Sequence, residues 1–290
     1  MRVMWGLVQV LAVAQGVGSL HAQQFQPPMR PSQLVREVVY NELHDHERHG
    51  YWRFWIERNS QKETRLEDQV ETAEGPITRL DRINGRPLDA AARLAEQSRL
   101  NRLLSSPEER ARLRQGYADD EKRIGRIVVL LPDAFLYEYA GEKDGCYRLR
   151  FRPNPDYPGR STEARIFHAM SGELWVSARY KRLALLDGHL DENVDFGFGI
   201  LGRLYKGGWF QLQRTHVSAT DWKTERLEIH MSGRAMLFKT ISRETSEMRG
   251  GFVPVPASMN LAQGVSLLNQ TQAGNALVST ANSDRMFENH

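Results

Sequence analysis

His44, His46 and His49 form the one cluster in this sequence whose type and spacing invite a metal ion. Zinc needs three or four ligands converging on one point. On a helix, positions 46 and 49 share a face, but 44 and 46 stand about 200° apart at 3.6 residues per turn. All three cannot meet one ion while the helix is intact. His46, Arg48 and His49 instead suit a last helical turn, where cations favour the negative end of the dipole. The expectation is therefore no metal and no cofactor. Asp195-Phe196-Gly197 spells the magnesium triplet of kinases, but the catalytic-loop signature, the strand lysine and the Gly-rich phosphate loop do not accompany it. A serine elbow, a Walker loop, a His-Glu-x-x-His helix and a dinucleotide fingerprint are likewise missing from the sequence. Cys146 is the single cysteine and excludes an internal disulfide; it opens an alternating strand pattern, which points to a structural role. The acidic pairs Asp119–Asp120 and Asp191–Glu192 sit in polar sequence, without surroundings that would perturb a carboxyl group. No catalytic residue is expected.

Binding is the chemistry left. Trp52, Phe54, Tyr137, Tyr147, Leu149, Phe151, Trp175, Trp209 and Phe210 all fall in strand-like stretches. A curled sheet has one inner face to fill, and these side chains fill it. If helices cover that face only in part, it becomes an apolar groove of the kind that takes a lipid or acyl chain.

The elements that must position them follow from periodicity. Three prolines make 23–31 an extended lead-in, and a helix is expected from Ser32, as N-cap, to Gly50, with Leu34, Val35, Val38, Val39 and Leu43 at helical spacing. Tyr51–Arg58 alternates and puts Trp52, Phe54 and Ile56 on one face; Thr64–Thr72 pairs with it across a turn at 59–62. Beyond the turn at Asn84–Pro87 the composition becomes helical, with a capping box at Ser106-Pro107-Glu108-Glu109, until Pro132. Val128 to Leu131 reads equally as a short buried strand. From Phe135 strands follow one another: around 135–139 and 147–152, then Ala164–Met170, Glu173–Ala178, Tyr180–Leu190, Trp209–Ala219, Trp222–Met231 and Arg234–Ser242. Turns are expected at Ser171-Gly172, Asp187-Gly188, Gly207-Gly208, Thr220-Asp221 and Ser232-Gly233. The tail from Pro254 lacks periodicity and is expected to be flexible. The fold class is thus α+β: an antiparallel meander curling into a half-barrel. One domain spans 32–253, with a helical insertion at 87–131.

With 290 residues and 40% hydrophobic side chains, the chain can build a substantial core. Its formal charge of +3, with Lys and Arg interleaved among Asp and Glu, argues against nucleic acid as a partner. Residues 1–22 read as a secretion signal: Arg2, a mostly apolar run from Val3 to Val17, and Ala22 before cleavage. Its removal takes away Arg2 and no acid, leaving +2. No later stretch approaches the roughly 20 apolar residues of a spanning helix. A periplasmic, non-membrane-spanning mature protein is expected.

Several segments carry a resemblance: Ile83-Asn84-Gly85-Arg86-Pro87-Leu88, Phe151-Arg152-Pro153-Asn154-Pro155, Met170-Ser171-Gly172-Glu173-Leu174-Trp175-Val176, Lys206-Gly207-Gly208-Trp209-Phe210, and Trp222 before two closing strands. With the order of elements, they make residues 34–249 similar to the LolA/LolB/RseB superfamily of periplasmic lipoprotein-binding proteins. The resemblance implies an open antiparallel half-barrel, LolA-like, whose concave face is lidded by helices and holds acyl chains or peptide segments without a cofactor. It places Trp52, Phe54, Leu149, Phe151 and Trp175 at that face. The implied partner is a lipid or lipoprotein acyl chain, or an extended polypeptide. The alternatives are an envelope protein-interaction module with a filled core and an extracytoplasmic hydrolase.

Overall fold

A computed structural model describes residues 27, 29–45, 50–158, 161–196, 202–235 and 239–270. The expected leader, His46, His49 and Gly197 lie outside the described residues.

Helix α1 (Pro31–Leu43) starts two residues earlier than expected, with Arg30 instead of Ser32 as the N-cap and no side-chain bond, because Pro31 supplies a pre-set helical φ. It also stops well before Gly50. His44 caps it, and Asp45 leaves the helical line to meet Arg182 at 2.6 Å. Leu34, Val35, Val38 and Val39 form its buried stripe. Their burial contributes at most roughly 6–12 kcal/mol relative to exposed side chains.

Strands β1 (Tyr51–Asn59), β2 (Thr64–Val70), β3 (Ile77–Ile83) and the short β4 (Arg86–Pro87) form a meander. Helices α2 (Ala90–Ser105), α3 (Pro107–Val128) and α4 (Leu131–Ala134) follow, so Val128 is helical and not strand. Ser106 caps α3 by accepting from the Glu109 N–H, as the capping box requires. Then come β5 (Phe135–Lys143), β6 (Cys146–Pro153), α5 (Thr162–Phe167), β7 (Met170–Ser177), β8 (Leu183–Leu190), β9 (Val194–Phe196), β10 (Gly202–Leu204), β11 (Trp209–His216), β12 (Trp222–Ala235), β13 (Lys239–Val255) and α6 (Leu261–Gln270). The strands build one 13-stranded antiparallel sheet ordered β4-β3-β2-β1-β13-β12-β11-β8-β7-β6-β5, with β10 on β12 and β9 on β10. The architecture is α+β around a large open antiparallel sheet.

Several expectations are corrected. The segment 164–170 is largely helical: Ser161 accepts from the Ala164 N–H and starts α5, and strand β7 begins only at Met170. Three glycines read as turns lie inside strands, where they permit close backbone approach. A Cβ on Gly172 would stand 1.9 Å from the Asp187 carbonyl oxygen. On Gly188 it would meet the Phe210 ring at 2.6 Å, and on Gly233 the Arg203 carbonyl at 2.3 Å.

The flexible tail expected from Pro254 is also corrected over 254–270. Strand β13 runs to Val255, and α6 buries Leu261, Val265 and Leu268 against Val70, Ile77, Leu100 and Leu103. Gly264 lets α6 seat closely, with its would-be Cβ 2.9 Å from Ile77 and Thr72 side chains. Residues 271–290 lie outside the described residues.

Register across the strands shows that the helices do not all roof one face. Ile56 shares a face with Leu227, Leu212, Leu186, Leu174 and Leu149, the face that α1 covers. Val70 pairs with Arg53 on the opposite face, and there α2 and α6 pack. Among the described residues, no helix is long and apolar enough to cross a membrane.

Candidate functional site: an apolar groove under the first helix

The sheet face beneath α1 is not completely filled. A groove of about 370 Å³ runs between α1, the corner from α3 to α4, helix α5 and strands β5, β6, β7, β8 and β11. Val35, Val38 and Val39 line it from α1, and Ile127, Val128 and Leu131 from the corner. The sheet contributes Phe135, Tyr137, Phe151, Leu174, Leu183, Leu186, Phe210 and Leu212, and α5 adds Ile166 and Phe167.

Local sequence explains the hollow. Gly172 and Gly188 are register partners on neighbouring strands, so this patch of sheet carries no side chain. The rings of Phe151 and Phe210 settle onto them, within 2.8 Å and 2.6 Å of where a Cβ would sit. Bulk that would otherwise rise toward α1 is missing, and the flanking Leu186 and Leu212, themselves register partners, wall the space.

Three polar side chains reach this lining: Glu42, Tyr137 and Glu163. Each is already engaged. Tyr137 donates its hydroxyl to the Leu131 carbonyl at 2.8 Å, and burial, with the Asp133 carboxylate, pushes the phenol up so that it stays neutral. Glu42 accepts from Arg182 Nε at 3.0 Å, from the Leu183 N–H at 3.1 Å and from Arg214. Burial opposes its charge, but the two guanidiniums and the Leu183 amide outweigh it and hold the carboxyl below the usual range. Glu163 lies in the first turn of α5, where the backbone N–H and Ser161 keep its carboxyl low as well. Such a site has apolar walls and no uncommitted reactive group; it can hold a hydrocarbon chain.

The five side chains expected at the binding face are not brought together. Phe151 lines the groove. Leu149 is fully buried in the same core but does not reach the lining. Trp52 and Phe54 belong to a separate cluster with Ile56, Val217 and Phe252. Trp175 is on the opposite face, register partner of Arg148. There the Arg148 guanidinium lies 5.1 Å from its ring, Lys143 lies 5.8 Å away, and its Nε1 donates to Glu173. Phe210 and Tyr137, offered from the sequence as inner-face aromatics, do line the groove, whereas its α1 and β8 residues and Leu212 were missed as a site, although the α1 stripe was a visible signal.

Trp52 is held by chemistry of its own. The Asp221 carboxylate accepts from the Gly50 N–H at 2.7 Å, Trp52 Nε1 at 3.2 Å, Thr220 at 2.8 Å and Ser218. Burial raises the carboxyl pKa, yet these donors win and hold it below the ordinary value. Because the folded pKa is depressed, the resulting stability is present at neutral pH. It is lost as pH falls from the unfolded carboxylate range, about 3.9, through the folded value. Asp221→Ala is expected to cost roughly 2–4 kcal/mol, since it leaves the Trp52 and Gly50 donors buried without an acceptor. Thermal melts across acidic pH should also show a shallower loss for this variant than for the wild type.

The remaining reactive-looking groups are accounted for by geometry. Ser171 Oγ and Asp191 both contact His189 at the same ring nitrogen, Nε2, at 3.1 Å and 3.2 Å. That ring cannot take a proton from the serine there while offering its other N–H to the aspartate, as a relay requires. The Cys146 thiol is pushed up by burial and by Asp144 and Glu142, away from the thiolate. His44 stacks on Tyr40 at 4.0 Å, and its Nδ1 lies 2.8 Å from the Tyr40 carbonyl.

Comparisons with known proteins add little. No family model matches the sequence. No curated protein matches it either. Among solved structures, the crystal structure of a DUF1329 family protein from Desulfovibrio piger aligns with 83% of this chain and 100% of its own. The sequence identity is 11% and the TM-score 0.30, a likeness too weak to bear on fold detail or function.

Proposed function

We propose that this chain is an exported, non-catalytic binding protein that carries the hydrocarbon part of a lipid or lipoprotein in the groove under α1, within a LolA-like half-barrel. One observation carries the reading: a space of about 370 Å³ beneath the apolar stripe of α1 is walled almost wholly by aliphatic and aromatic side chains. Space of this size is in the ordinary range for small-molecule sites. An interaction module with a filled core would have no use for it. The N-terminal Arg2 and the apolar run behind it support export to the periplasm.

The protein, purified from a periplasmic extract without detergent, is expected to begin near Gln23. It is also expected to release a stoichiometric lipid on solvent extraction and to bind a fluorescent acyl probe once delipidated. An extract free of lipid, together with a probe that stays in the aqueous phase, would overturn the reading.

A further inference from the structure

Helix α3 buries none of its residues, and three exposed aliphatic side chains gather at its C-terminal end. Ile124 is 60% exposed and Val129, the C-cap, 52%. Ile127 is 36% exposed although it also lines the groove, so it marks the rim where the groove opens. Gly125 turns the inner side of the helix toward α1, with its would-be Cβ 3.7 Å from the Leu43 side chain. Arg123 and Ile127, two residues to either side of Gly125, stand about 160° round the helix from it and face outward. Ile124, three residues before Ile127, shares its face.

Cations surround these side chains. Lys122, Arg123 and Arg126 are all exposed, and residues 122–128 include no acid. Asp119, Asp120 and Glu121 stand about a turn further from the corner, and Asp120 is paired with Arg123 at 3.2 Å. Lys122 and Arg126 make no hydrogen bond or ion pair among the described residues. On α5, the other lip of the groove, exposed Arg165 follows Glu163 by two residues. Aliphatic side chains set among cations suit a bilayer surface: the former enter the acyl layer while the latter meet phosphates. A stable protein interface takes roughly 800 Å² on each side, far more than one helical turn offers, whereas a bilayer asks for no matching shape. We infer that the corner from α3 to α4 docks on an anionic lipid bilayer and sets the rim of the groove against it, an inference that rests on the carrier reading for its purpose and on exposure and charge for its place.

The test is flotation of the mature protein with vesicles of pure phosphatidylcholine, and with vesicles of equal parts phosphatidylcholine and phosphatidylglycerol. Wild type is expected to float with the anionic vesicles at low salt, to bind pure phosphatidylcholine more weakly by roughly tenfold or more, and to be released as salt screens the cations. Lys122→Gln with Arg126→Gln should weaken anionic binding roughly twentyfold, at about fivefold for each cation near the surface. Ile124→Asp with Val129→Asp should remove it. None of these four side chains lines the groove, so affinity for a soluble acyl probe should stay within about twofold. Arg150→Gln with Arg152→Gln takes two exposed cations from the outer sheet face instead, and should leave flotation unchanged. Wild type that stays in solution with both vesicles overturns the inference and leaves the corner to a protein partner. Corner variants that float as well as the sheet control overturn it too. Absent vesicle binding with the probe still bound removes the docking surface alone; a probe that fails while vesicles are bound removes the carrier reading and keeps the docking surface.

Discussion

Replacing Glu42 with alanine is expected to destabilise the protein by roughly 3–5 kcal/mol, the cost typical of breaking a buried ion pair from one side. Glu42 is the joint between α1 and the sheet. Its two oxygens take Arg182, Arg214 and the backbone of Leu183, three groups from strand-bearing segments far away in sequence. Arg182 and Arg214 side chains are only 10% and 12% exposed, so neither can turn to water when the carboxylate is lost. Asp45 still neutralises Arg182, but Arg214 keeps only the Trp222 carbonyl. For a chain of this size the loss amounts to a drop in Tm of roughly 10 °C. Glu42→Gln, which keeps the shape and loses the charge, should fall between the two. The pH dependence has a definite sign. The folded carboxyl is held below its usual range, so the contribution is complete at neutral pH and fades as acid takes it through the folded pKa. Denaturant melts of the three proteins at neutral and acidic pH provide the check; equal stabilities would show that α1 is seated by its apolar stripe alone.

The second large effect concerns binding. Leu186 and Leu212 face each other across β8 and β11 and wall the groove. A tryptophan at either position fills space that about three methylenes of a bound chain would occupy. At about 0.8 kcal/mol per buried methylene, the affinity for an acyl probe should fall roughly fiftyfold or more. Stability should change little, because the new ring enters a vacancy and not a packed core. Trp175→Ala is the matched control. That ring lies on the other face of the sheet under Arg148, so its removal should leave probe affinity within about twofold. Probe titrations of the three variants, each verified by thermal melt, decide the matter.

Much of the architecture was legible in the sequence where one physical signal dominated. The stripe Leu34-Val35-Val38-Val39 announces α1, and the alternation Tyr147-Leu149-Phe151 against Arg148-Arg150-Arg152 announces β6 with its faces correctly assigned. Strand β3 was missed for a reason visible in its contacts. Its half-buried Arg79 and Asp81 pair with each other at 2.8 Å, and neutralised charges in a strand interior erase the apolar alternation. Helix α6 was missed because its buried Leu261, Val265 and Leu268 stand among Gly, Ser, Asn and Gln, whose loop-like composition obscured a short apolar stripe.

The site was less legible than the fold. Trp175 seemed to belong with Leu149 and Phe151 because all three are large and apolar. Face is set by register, however, and Trp175 is paired with Arg148, one residue out of step. Gly172 and Gly188 read as turns because composition cannot distinguish a glycine that bends the chain from one that makes room for a neighbouring ring. The hollow itself arises from what is absent at those two positions, and no residue type signals it.

Location of a bound chain is the most direct measurement. A photoactivatable acyl chain, bound to the delipidated protein and irradiated, should label peptides from residues 33–43, 183–190 and 209–216, with Leu186→Trp and Leu212→Trp suppressing the label. Labelling confined to the outer face around Trp175, or to the cluster of Trp52 and Phe54, would contradict the assignment of the space beneath α1 as the binding site.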